Sequence, residues 1–189
     1  MTTPLRLAGT ARLPDDAILT WTVADGRAGR RWRALAAVAG TVTHALLLEV
    51  GPGGRLARLE LATAAGLLTV HPDTDGTILH GNVVTSAGVR HVALDWSPDH
   101  GLAVDRRPLA DAVTARWVAA TVGVGEGRVV AVVAIAADLS IREETTTFER
   151  SSTRTWRLIG PRGTRTLTID ERGIPADLRD AVEWPLELD

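Results

Sequence analysis

Along this chain hydrophobic and polar positions alternate far more often than they recur at helical spacing. Between Ala17 and Ala24, Leu19, Trp21 and Val23 interleave with Ile18, Thr20 and Thr22, the period of two that sends successive side chains to opposite faces of a strand. Further on, Leu59 and Leu61 interleave with Arg58 and Glu60 in a second amphipathic strand over Leu56 to Thr63. The residues from Ala34 to Ala39 are small and would suit a helix on propensity alone. They are assigned to a strand because Gly40-Thr41 interrupts them and a β-branched pattern resumes from Thr41 to Val50.

Turn chemistry separates these runs. Asp25-Gly26 predicts a tight turn, and Gly51-Pro52-Gly53-Gly54 is the strongest punctuation in the chain. A two-residue turn at Asp75-Gly76 would make a hairpin with His71 opposite His80, and Val89 to Trp96 continues the meander. Pairing about Gly160-Pro161-Arg162-Gly163 would set Trp156 across from Leu167.

Arg128 to Ala137 is continuously apolar and reads as a central strand covered on both faces. Asp138 to Ser151, threonine-rich, reads as an exposed strand. Only Leu109, Val113 and Trp117, four residues apart behind Pro108, suggest a helix, with room for a helical turn after Gly173. Some ten strands and one or two short helices predict a mainly β fold. The large antiparallel sheet would curve into an incompletely closed barrel, which limits its unpaired edges. A length of 189 residues suits a single domain over 1–189.

Composition narrows the chemistry. All 21 basic residues are arginine, spread along a chain of formal net charge −2, so no basic face for nucleic acid is expected. Cysteine, lysine, tyrosine and glutamine are absent, which removes thiolate and Schiff-base nucleophiles and cysteine-ligated metals. No apolar run reaches the roughly 20 residues of a membrane span. Without a leader-like N-terminal run, the cytoplasm is the expected compartment.

The densest grouping of unlike residues lies between Leu94 and Pro108. There Asp95 and Asp105 with Arg106 and Arg107 suit either an internal ion network or a clamp for a ligand's phosphate or carboxylate. His71, His80, His91 and His100 invite a metal reading, but a site needs three or four ligands, and ordinary surface histidines explain them; no metal or cofactor is expected. Ser97 precedes a proline and suits a turn better than a nucleophile beside His91, so no catalytic residue is assigned. Gly123-Val124-Gly125-Glu126-Gly127 suits a hairpin loop better than a phosphate cradle. Six tryptophans either plug the core or line a cavity, and Trp32, between Arg31 and Arg33, is the best candidate for a rim.

The early strand with Trp21, the central Val92-Ala93-Leu94-Asp95-Trp96-Ser97-Pro98, Arg106-Arg107 ahead of Leu109, Leu139-Ser140-Ile141, Phe148-Glu149-Arg150 and the closing stretch from Leu167 to Ile174 together resemble the bacterial glycolipid-binding family, formerly a domain of unknown function. The likeness runs from about Ile18 to Leu178. It implies a half-open antiparallel barrel with a hydrophobic cavity, similar to the periplasmic lipoprotein carriers. The expectation is a non-catalytic protein for a hydrophobic or amphiphilic small molecule, with Trp32, Asp95, Trp96, Arg106 and Arg107 as candidate ligand-binding residues. An enzyme acting on a lipid-like substrate and a closed module without ligand are the alternatives. Oligomeric state is not legible.

Overall fold

The computed structural model describes residues 5–13, 15–105, 107–178 and 182–183. They form a mainly β fold in two compact units, Met1–Asp95 with Leu178–Asp189, and Trp96–Asp177.

The first unit is a meander. Its strands are β1 (Arg6–Arg12), β2 (Ile18–Gly26), β3 (Gly29–Val38), β4 (Thr41–Val50), β5 (Leu56–Thr63), β6 (Gly66–Pro72), β7 (Ile78–Thr85) and β8 (Gly88–Asp95), joined at one edge by β14 (Val182–Glu183). Every neighbour is antiparallel, and the order β14-β1-β2-β3-β4-β5-β6-β7-β8 leaves the sheet open. Alternation fixes one face throughout. Leu19, Trp21 and Val23, then Trp32, Ala34 and Ala36, then Leu46 and Leu48, and finally Leu59, Leu61, Leu68 and Val70 are all buried. A one-residue slip in any strand would turn this set outward, so burial also fixes register.

His71 does face His80, with ring centroids 4.2 Å apart. The turn before β7 is longer than the two residues expected, because the Asp73 carboxylate accepts hydrogen bonds from the amides of Thr77 (2.8 Å) and Ile78 (3.2 Å) and organises the loop. Asp25-Gly26 is likewise not the turn. Both residues pair within the β2–β3 ladder, and the chain reverses at Arg27-Ala28.

The second unit holds β9 (Gly101–Val104), α1 (Pro108–Val118), β10 (Gly127–Ile135), β11 (Ile141–Arg150), β12 (Thr155–Gly160) and β13 (Gly163–Thr168), with sheet order β13-β12-β11-β10-β9. Trp156 faces Leu167 as predicted. The expected exposed strand, β11, is in fact half-buried, with Glu144, Thr146 and Phe148 on its inner face. A purely antiparallel arrangement was expected, but β9 and β10 run parallel. The helix is the reason: a parallel pair needs a crossover, and α1 supplies it. Gly123 to Gly127 therefore leads from α1 into β10 and is not a hairpin loop.

Pro108 opens the helix at a position where its missing amide costs nothing. Thr114 ties α1 to β9, its hydroxyl oxygen accepting from the Leu102 amide at 2.9 Å. Ala112, Ala115 and Trp117 join Val130, Val132, Phe148, Trp156 and Leu158 in one core. No helix among the described residues is long and apolar enough to cross a membrane.

Candidate functional site

The tryptophan-bearing face is filled. Trp32, expected at a rim, is 1% exposed; its ring lies 6.0 Å from that of Trp21, with the Arg30 guanidinium 5.9 Å away over it. Period two explains the reversal, since arginines on either side that reach solvent require the residue between them to point inward. Trp96 is also buried, against His100 at 5.2 Å, and the His100 Nδ1 accepts from the Ser97 amide at 2.7 Å. The Ser97 hydroxyl accepts from the Asp99 amide, so this serine closes a turn. Asp95 is exposed at the end of β8, five strands from Trp32 in the sheet order. Arg107 is buried immediately before α1. Arg106 and Trp184 lie outside the described residues. Within the first unit Trp32 and Asp95 are thus well apart, while Trp96 and Arg107 belong to the second unit. The described residues contain no group of three or more side chains able to hold a metal.

The opening lies on the opposite face of the first unit's sheet. A groove of about 710 Å³ runs over β2 to β6, lined by Thr20, Thr22, Arg33, Leu35, Leu47 and Leu67 among others. The register arranges the lining in rows across the strands. Leu35 of β3 faces Ala45, which faces Ala62, then Leu67, Val84 and Val89, an apolar row over six strands. Leu35 is 47% exposed and Leu67 41%. The next row is mixed: Thr22, Arg33, Leu47, Glu60 and Thr69. Beyond it Ala24, Arg31, Glu49 and Arg58 face one another. Polarity therefore rises in one direction along the strands.

Most of the charge in the groove is neutralised internally. Arg31 binds Glu49 at 2.5 Å, and Arg58 binds Glu60. Arg33 has neither an ion pair nor a hydrogen bond among the described residues. The cue that could have found it is the same alternation that buries Trp32.

Sequence reasoning also missed an ion network in the second unit. Arg165 donates two hydrogen bonds to Asp111, at 2.7 and 3.2 Å, and the Arg162 Nε donates to Glu144 at 2.5 Å. Burial pushes the Asp111 carboxyl above its usual range, against the pull of Arg165. These residues are scattered between positions 111 and 165, and no local motif announces them.

The fold resembles that of a DUF1089 family protein. That crystal structure, from Pseudomonas aeruginosa, matches 94% of this chain and 91% of its own, with a TM-score of 0.56 and 17% identity. No family model matches the sequence. No curated protein matches it either.

Proposed function

We propose that this protein is a non-catalytic binder of a glycolipid or other amphiphile, and that the ligand lies in the groove of the nine-stranded sheet. One observation carries the reading: a continuous apolar row on an exposed face that bears a groove, directly beside a cation that no described residue neutralises. Exposed apolar surface gathered in one patch marks a binding surface more often than isolated leucines do. Fully burying a leucine is worth roughly 1.5–3 kcal/mol, so covering the exposed halves of Leu35 and Leu67 would contribute about 1.5–3 kcal/mol together. Leu47 and the alanines add to that.

Two features favour binding over lipid-processing catalysis. The groove's carboxylate, Glu60, is held by Arg58, and the carboxyl that burial raises, Asp111, is clamped by Arg165 in the other unit. Neither is presented as a free acid or base.

The test is titration with an apolar fluorophore, together with native mass spectrometry of gently purified protein. Wild type is expected to bind the fluorophore and to carry lipid. A charge placed in the apolar row by Leu35→Glu is expected to weaken fluorophore binding about tenfold, a change of roughly 1.4 kcal/mol, with little change in melting temperature because the site is half-exposed. A wild type that neither binds the probe nor carries lipid, or a variant that binds as well as wild type, would overturn the proposal.

A further inference from the structure

We infer that the amphiphile's head group is a single carboxylate, received by Arg33; this rests on the groove reading above. The argument begins with charge. Of the ionic side chains lining the groove, Arg31 is matched by Glu49 and Glu60 by Arg58, which leaves Arg33 as the one positive charge without a counter-charge among the described residues. A carboxylate restores neutrality with one negative charge, whereas a phosphate monoester brings about −1.5 to −2 at neutral pH and would face Glu60 in the same row. Arginine's planar fork also fits a carboxylate through two parallel hydrogen bonds.

Position agrees with charge. Arg33 sits two residues before Leu35 on the same face of β3, a separation of roughly 7 Å along the strand. Thr22 lies directly across from it on β2. A head group on Arg33 therefore places the start of a tail at the Leu35 row. From Leu35 to Val89 that row crosses five strand spacings, roughly 24 Å at about 4.8 Å each, the reach of a long acyl chain. Beyond the row three of the sheet's four hairpin tips carry no charge, since residues 34–48, 61–70 and 81–89 contain no Asp, Glu, Arg or Lys, and the fourth, between β1 and β2, carries Asp15 beside the Arg12–Asp16 ion pair. The opposite end carries Asp25, Arg27, Arg30, Arg55, Asp73 and Asp75. A ligand with one anionic end and one long apolar end matches this gradient in one orientation only.

The experiment compares oleate, kept below its micelle concentration, with oleyl alcohol, which has the same chain and no charge and is kept below its solubility limit, as competitors for the groove fluorophore. Wild type is expected to prefer oleate by about tenfold, and 0.5 M salt should erode that preference. Arg33→Gln should abolish the preference, weakening oleate about tenfold more than oleyl alcohol. Arg33→Lys should restore part of it, because lysine supplies the charge without the fork. Equal binding of the two competitors by wild type, or an undiminished preference in Arg33→Gln, would overturn the inference while leaving the groove as a lipid site. If neither competitor displaces the probe from wild type, the groove reading itself falls and the head-group assignment with it.

Discussion

Asp111 is subject to opposing influences. Burial favours its neutral form, Arg165 and Arg162 favour the carboxylate, and nearby Glu144 again favours the proton; burial wins, so its folded-state pKa lies above the ordinary 3.8. The folded protein then holds this proton more tightly than the unfolded chain does. The group's contribution to stability consequently rises as pH falls toward 3.8 and declines as pH climbs through the raised value. Asp73 and Asp138 act in the opposite sense. Hydrogen bonds from Ile78 and Thr77 lower the first and those from Ser140 lower the second, so the stability they confer is present above 3.8 and lost below it. Asp111→Asn separates these effects. It fixes the neutral form that burial favours, so above the raised value the variant is expected to unfold no more easily than wild type. Urea unfolding across pH should show wild type gaining on the variant as pH falls toward 3.8; a difference that does not change with pH would mean that Asp111 titrates normally. At this scale the sequence was a partial guide. In Arg31-Trp32-Arg33 the indole is the conspicuous group, but alternation turns it inward and leaves the guanidinium two positions before Leu35 facing the groove.

Hairpins were legible where turn chemistry and apolar pairing agreed. His71 opposite His80 and Trp156 opposite Leu167 follow from apolar residues needing a common face on both sides of a short turn. The parallel β9–β10 pair was not legible, because Leu102, Ala103 and Val104 are too short a run to declare a direction and their partner lies beyond a helix. Nor could local pattern show where the ladder is tightest. Gly81 of β7 faces Val70 of β6, and a methyl group there would fall far inside contact distance of the Thr69 carbonyl oxygen. The backbone of β6 cannot yield without disturbing its other ladder, with β5. Gly81→Ala is therefore expected to destabilise the first unit by about 3 kcal/mol, the upper end for overpacking, measured as a lowered urea midpoint with unchanged slope. An unaffected midpoint would show that the two strands separate more freely at this point than their register implies.

For the whole chain, the fold class followed from periodicity, while the place of the proposed site did not, because period two assigns residues to faces without saying which face is filled. Side-chain burial separates the two: Trp21 and Trp32 are buried on one face, and the other face, with Ala45 and Ala62 in its middle row, carries the groove. If that is where the free energy of binding arises, occupancy must stabilise the folded state, since the unfolded chain has no rows to cover. A ligand held at 100 times its dissociation constant adds about 2.7 kcal/mol, and in a protein of this size each kcal/mol moves the melting temperature by roughly 2–4 °C. Oleate at that ratio, kept below its micelle concentration, is thus expected to raise the melting temperature by about 5–11 °C in calorimetry. Where two transitions are resolved, the shift belongs to that of the first unit, which alone contributes the groove. Arg33→Gln should remove most of the shift produced by oleate and a much smaller share of that produced by oleyl alcohol. A rise confined to the second unit's transition would place the ligand elsewhere and detach the apolar row from binding.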